Sequence, residues 1–272
     1  MTELNPEIRA YYQSAPEHER LSTGCFQLEF ERTKELVLER LPPPPATILD
    51  VGGGPGAYAL WLAGLGYEVH LIEPVASLLE FAKARSNTAT HPIATFTIGD
   101  ARTLEWRNDS VDAVLELGPL YHLIDRDDRL RALREALRVL RRDGQVFAAG
   151  ISWFASALDG LSRNLLADEV FRQIVARDLK EGVHRNATGL LEYFTTAKFH
   201  RPQELMAELS QAGFSNVDVL GIEGPGWFFP DFDERWNDTS KRRDLMTIAK
   251  YLEHEPSVQG ISAHLLAVGK KK

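Results

Sequence analysis

The nine residues Ile48-Leu49-Asp50-Val51-Gly52-Gly53-Gly54-Pro55-Gly56 constrain this chain more than any other segment. Thr47–Val51 reads as a buried strand, and Ala57–Leu65 beyond the turn reads as a helix. Gly52, Gly54 and Gly56 let the backbone turn sharply and come close to a ligand. The helix that follows offers unpaired N–H groups at its start. A strand that turns through glycines into a helix begins a strand–helix–strand unit, and the alternation continues. Strands are expected at Glu68–Ile72, Ile93–Ile98, Val111–Leu117 and Gln145–Gly150, with helices at Ala76–Ser86 and Arg126–Arg142. This is the pattern of a parallel sheet covered on both faces, an α/β, Rossmann-like fold.

The rhythm breaks in three places. Before the first strand, FQLEFERTKELVLERL reads as an amphipathic helix, and Pro42–Pro45 then form a stiff extended connector. Residues 152–200 read as helical and then irregular. A helix at Pro202–Ala212 and a strand at Asn216–Ile222 resume the pattern, a second irregular insert follows at 224–256, and Ile261–Val268 reads as a final strand. The expected organisation is a helical cap over 1–41, a core over 42–151, a lid over 152–200, and a completion of the core over 201–272. Cap and inserts should cover the C-terminal edge of the sheet, where open α/β folds bind ligands.

The glycine turn alone does not choose the ligand. Gly52-x-Gly54-x-x-Ala57 also fits a dinucleotide fingerprint, and Glu73, 21 residues after Gly52, can take the ribose hydroxyls of NAD or of S-adenosylmethionine (SAM). Asp50 helps to separate the two, because a carboxylate facing a pyrophosphate repels it, whereas SAM carries an ammonium and a sulfonium. Asp100, in Gly99-Asp100-Ala101, completes a row of acids at the ends of strands one to three and can accept a hydrogen bond from an adenine amino group. An NAD(P)-dependent oxidoreductase and a non-catalytic SAM-binding regulatory protein remain the alternatives at this level.

The segments ILDVGGGPG, HLIEP, IGDA, VDAVLELGPLYHL and LRVLRRDGQVFAAG together resemble the successive motifs of the class I SAM-dependent methyltransferases, in the small-molecule branch. The resemblance is close over residues 45–151 and looser over 201–270. It implies a seven-stranded, mostly parallel sheet with the last strand antiparallel. It also implies methionine contacts around Gly52 and Gly54, ribose on Glu73, adenine at Asp100-Ala101, and an N-terminal segment carrying Tyr11 and Tyr12 folded over SAM. The fourth motif lacks the Asn/Asp-Pro-Pro-Tyr of base-methylating nucleic-acid enzymes.

Methyl transfer from a sulfonium is an in-line displacement that needs positioning, and a base only where the acceptor must lose a proton. His122 is the first candidate base, since an imidazole titrates near neutral pH, and Tyr121 is a candidate for shaping the acceptor pocket. Trp153, Phe154, Trp227, Phe228, Phe229 and Trp236 fall in the inserts and are candidates for an apolar acceptor pocket or a small lid core. Asp125, Asp127 and Asp128 cluster, but Asp125 fits a helix N-cap and no metal site is expected.

A net charge of −8 argues against nucleic acid, and the arginines from Arg126 to Arg142 read as the solvated back of a helix. No apolar run spans a membrane, no secretory signal is visible, and Cys25 is the only cysteine. The expectation is a cytoplasmic monomer or homodimer acting on a small molecule.

Overall fold

Apolar runs bounded by glycine and aspartate turns become buried strands, and amphipathic segments between them become helices that cover both faces. The computed structural model describes residues 4–272; residues 1–3, where the expected cap begins, lie outside the described residues. The N-terminal segment contributes α1 (Pro6–Ser14), α2 (Glu17–Arg20) and α3 (Phe26–Leu38). The core follows as β1 (Thr47–Val51), α4 (Ala57–Gly64), β2 (Glu68–Ile72), α5 (Ala76–Ser86), β3 (Thr95–Thr97), β4 (Val111–Glu116), α6 (Pro119–His122), α7 (Arg126–Val139) and β5 (Leu140–Ser152). Next come α8 (Ala155–Ser162), α9 (Glu169–Glu181), β6 (Val183–His184), β7 (Ala197–His200), α10 (Pro202–Ala212), β8 (Ser215–Gly221), α11 (Phe232–Asn237), α12 (Thr239–Leu252) and β9 (His264–Lys270).

The main sheet runs β3-β2-β1-β4-β5-β9-β8. β9 is antiparallel to both neighbours, as the resemblance implies, and the remaining pairings among β1–β5 are parallel. Beyond the end of β4, β7 takes over the free edge of β5 through Ile151 and Ser152, and β6 pairs with β7. One core face packs Leu133, Ala136, Leu205 and Leu209 from α7 and α10; the other packs Leu36, Ala59, Leu62 and Leu79 from α3, α4 and α5.

Several boundaries differ from the sequence expectation. α7 stops at Val139, because Leu140 turns extended and pairs with Val111, so β5 begins five residues before Gln145. β3 is shortened at its start, where the Ile93 N–H goes to Ser86 Oγ at 2.8 Å. β9 starts at His264, since Gln259–Ile261 form a 3-10 turn. The insert at 224–256 is helical, not irregular. Its longer helix, α12, is mostly polar and buries only Leu245 and Ala249, which leaves little periodicity to read. The second half of the 152–200 insert likewise holds the β6–β7 pair. Asp125 is an N-cap as expected, with Oδ1 accepting from the Asp127 N–H at 2.7 Å.

One arginine of the 126–142 run departs from the solvated-face reading. Arg129 is 3% exposed and clamps Glu208 of α10, with its Nη2 2.7 Å from Oε1 and its Nε 2.9 Å from Oε2. Its Nη1 donates to the carbonyls of Leu123 and Ile124, both at 2.8 Å.

Candidate functional site

The parallel strands end in register, which sets three acids side by side. Asp50 pairs with Leu71 and Leu115, Glu73 follows the last residue of β2, and Asp100 lies just beyond β3. The Gly52 N–H donates to Ile72 O at 2.7 Å and the Glu73 N–H to Thr97 O at 3.0 Å, so the ladder runs up to the site.

Asp50 is fully buried, and neither carboxylate oxygen has a hydrogen-bond partner among the described residues. Burial pushes its carboxyl up to about 7. Gly53 lies against it: a Cβ there would stand 2.4 Å from Asp50 Oδ2 and 2.5 Å from Leu71 Cδ1, so no other residue fits. Gly52 is held at φ 65° with Pro119 where its Cβ would be. Gly54, at φ 56°, has open space there instead, and its requirement is the backbone conformation. Its N–H donates to Glu73 Oε2 at 2.9 Å, while Glu73 Oε1 accepts from the Val75 N–H at 2.8 Å. Burial pushes Glu73 up to about 7 against these two bonds. An ionised carboxylate offers about four acceptor positions, so Glu73 keeps room for ligand hydroxyls. Asp100 is partly engaged: Oδ1 accepts from the Arg102 N–H and Nε, both at 2.8 Å, and Oδ2 from Nη2 at 2.7 Å.

These residues line a cavity of about 1060 Å³ together with Ala101, Leu117, Gly118, Tyr121 and His122, and α1 and α2 close it with Ile8, Tyr12, Glu17 and Arg20. Two expected site residues lie elsewhere. Gly56 does not line the cavity; it faces Ala82 and Leu71, and a Cβ would meet Ala82 at 3.1 Å. Tyr11 does not line this cavity but a second one, edge-on to Phe194 with ring centroids 5.3 Å apart.

The second cavity shares Tyr12, Glu17, Arg20 and Tyr121 with the first. Of the six insert aromatics only Trp227 lines it. Trp153 packs over Gly182 and Arg201, and Trp236 stacks on Phe232 in a small lid core. The other aromatic walls come from Tyr11, Phe26, Phe171, Tyr193, Phe194 and Phe199. Apart from Tyr11, nothing at the sequence level singles these out, since they stand on α3, α9, β7 and the loop that holds Tyr193 and Phe194.

His122 sits at the junction. Its Nδ1 is 3.3 Å from the Thr196 carbonyl, which can only accept, so Nδ1 carries the proton. Nε2 therefore accepts from the Tyr12 hydroxyl at 2.6 Å. Burial pushes the imidazole down to about 4, so it is neutral at pH 7. Burial also pushes the Tyr12 phenol well above its ordinary range. The expected base is thus one half of a Tyr12–His122 pair.

Arg20 and Glu17 carry no local motif. The Arg20 Nε donates to Glu17 Oε1 at 2.8 Å, and its Nη1 and Nη2 donate to Glu29 at 2.6 and 3.1 Å. Beyond Glu29, Glu223 and His264 complete a buried cluster, all offering ligand atoms within 4.8 Å of one another. Every carboxylate oxygen in it already accepts from Arg20 or His264, so a metal would have to displace protein donors. Asp128 is likewise engaged, by Arg102 at 2.7 Å.

A family model described as a methyltransferase domain matches residues 49–148. A methyltransferase of Streptomyces halstedii, GfsG, is 34% identical over 124 residues, 44% of each chain. A malonyl-[acyl-carrier protein] O-methyltransferase of Geobacter sulfurreducens is 33% identical over 177 residues, 65% of this chain and 58% of that protein. The chain thus spans about half the length of these two curated relatives. Among solved structures, a SAM-dependent methyltransferase of Thermotoga maritima superposes with a TM-score of 0.56 at 19% identity, covering 98% of this chain and all of that one.

Proposed function

We propose that this chain, which belongs to the class I SAM-dependent methyltransferase family, transfers a methyl group to an oxygen or nitrogen of a small acceptor held in the second cavity. The observation that carries this reading is the shared wall: Tyr12, Glu17, Arg20 and Tyr121 face both cavities, so a ligand in each would meet there.

The residues of the first cavity fit SAM by their chemistry. The unbonded Asp50 carboxylate would be satisfied by an ammonium, Glu73 has acceptor capacity for ribose hydroxyls, and Asp100 with Ala101 lines the same cavity, where an adenine would lie. An unpaired buried carboxylate beside the turn disfavours a pyrophosphate, and with it the nicotinamide cofactors. SAM supplies a methyl group already activated on a cationic sulfur. The chain's part is to orient the acceptor across the Tyr12–Tyr121 wall and to exclude water with α1 and α2. For an acceptor that loses a proton, the Tyr12 oxygen takes it as the Tyr12 hydroxyl proton passes to His122 Nε2, a transfer over one 2.6 Å hydrogen bond. The O-methyltransferase activity named for the Geobacter relative is compatible with that route.

Calorimetric titration of ligand-stripped protein with SAM, S-adenosylhomocysteine and NADH tests the reading. Binding of the first two without an NADH response is expected. Binding of NADH without SAM would overturn it.

A further inference from the structure

The second cavity has a pronounced charge imbalance. Five carboxylates line it, Glu17, Glu29, Asp159, Glu192 and Glu223, against two guanidinium groups, Arg20 and Arg163, and the His264 imidazole. Both arginines are already occupied within it. Arg20 is held by Glu17 and Glu29, and the Arg163 Nη1 donates to Asp159 Oδ2 at 3.0 Å. Two of the carboxylates, Glu223 and Glu29, meet beside His264 where β8 ends and β9 begins. Glu223 is 1% exposed, with Oε1 2.6 Å from His264 Nδ1 and Oε2 accepting the His264 backbone N–H at 3.0 Å. Glu29 Oε2 lies 3.7 Å from the same Nδ1.

Two residues that line this cavity hold a side-chain polar atom without a hydrogen-bond partner among the described residues. His264 Nε2 has no hydrogen-bond partner among the described residues. The Ser156 hydroxyl is buried without a partner, on a residue 7% exposed. An excess of one sign of charge within low-dielectric walls concentrates its potential inside the cavity. Other groups there respond to it. Burial, Glu223 and Glu29 push the Cys25 thiol up to about 12. Burial alone would lower the His264 imidazole, yet Glu29 and Glu223 raise it. Around this acidic floor stand the rings of Tyr11, Phe194 and Trp227, whose negative faces also attract cations.

We propose that the acceptor carries an ammonium group that serves as an anchor, its positive charge lying against Glu223 and Glu29, with its carbon skeleton between the aromatic walls and the neutral oxygen or nitrogen that takes the methyl group at the wall shared by the two cavities. This rests on the methyl-transfer reading above and narrows it. An anionic acceptor would be repelled. A neutral one would leave the buried carboxylates as they are and gain only apolar contact.

The test uses the whole chain saturated with S-adenosylhomocysteine and two matched probe sets, phenethylamine, phenethyl alcohol and phenylpropionate, and hexylamine, hexanol and hexanoate. Within each set the amine is expected to bind about tenfold or more tightly than the alcohol, with the carboxylate weakest. Glu223→Gln should remove most of the amine's advantage while adenosylhomocysteine affinity, which reports on the fold, stays unchanged. Glu192→Gln, at an exposed position, should reduce the advantage less. Equal binding across a set, preference for the carboxylate, or no amine binding to the loaded protein overturns the proposal. Failure to bind adenosylhomocysteine at all would overturn the methyl-transfer reading, and the proposal with it.

Discussion

Asp50 is an unfavourable residue for the fold by itself, and under the proposed function a bound ammonium would make it a favourable one. A buried carboxylate with no partner costs free energy unless it is protonated or paired. Because its folded-state carboxyl titrates at about 7, above the ordinary 3.8, the folded chain holds a proton there that the unfolded chain releases. Its contribution to stability is therefore greatest below pH 4 and is lost as the pH rises to about 7. A bound ammonium reverses the preference and expels the proton. SAM titration at pH 6, in two buffers of different ionisation enthalpy, should reveal release of about one proton. Asp50→Asn should abolish that release and weaken SAM by about 10- to 100-fold, the range for a charged hydrogen bond. An unchanged proton count in the variant would assign the release to Glu73, the neighbouring group that also titrates at about 7.

At the scale of elements, the Arg129–Glu208 pair fastens α7 to α10 beneath the sheet edge that carries the site. Burial alone would push Glu208 up; the His200 and Arg129 side chains hold it at about 2 instead. With the folded value depressed, the contribution is fully present above the unfolded value near 4.5 and is lost as the pH falls towards 2. Removing one partner strands a buried charge, so Arg129→Ala should cost about 3 kcal/mol or more. That corresponds to a thermal midpoint lower by about 6 °C or more for a chain of this size. Arg129→Met with Glu208→Leu should recover much of it, since apolar groups of similar shape can replace a buried pair. A double variant as unstable as the single one would show that the bonds to the Leu123 and Ile124 carbonyls carry the stabilisation.

At the scale of the whole molecule, both cavities are closed by segments far from the core motifs. α1 spans the two, with Ile8 and Tyr12 lining the first cavity and Tyr11 and Tyr12 lining the second. It is fastened to the lid by the Thr196 hydroxyl, which donates to Glu7 Oε2 at 2.7 Å. Behind it, fully buried Arg32 of α3 pairs with Glu253 at the end of α12, and Lys250 donates to Glu39 at 2.7 Å. Cap and second insert therefore hold each other. Hydrogen exchange should slow in residues 6–20 and 191–196 when S-adenosylhomocysteine binds, and change little in α12. Protection confined to the glycine turn would mean that α1 takes no part in closure.

How much of this was legible follows from distance along the chain. β1, β2, α5 and α10 lie at their expected bounds, and Asp50, Gly52, Gly54, Glu73, Asp100 and Ala101 converge because consecutive parallel strands must end at one edge. Residue order determined that part: strand periodicity, glycine turns and helix caps act within a few residues, so they can be read locally. Arg20, Glu29, Glu223 and His264 gave no such signal, because they are brought together from α2, α3 and the β8–β9 junction. Nor could the sequence show that His122 has its free nitrogen occupied by Tyr12, 110 residues away, or that Tyr11 faces the other cavity. The sequence alone determined the α/β core and the acid row beside the glycine turn. Only the tertiary structure decided the second cavity, its charge and its wall, because burial and pairing are set by which distant surfaces the packed core brings together.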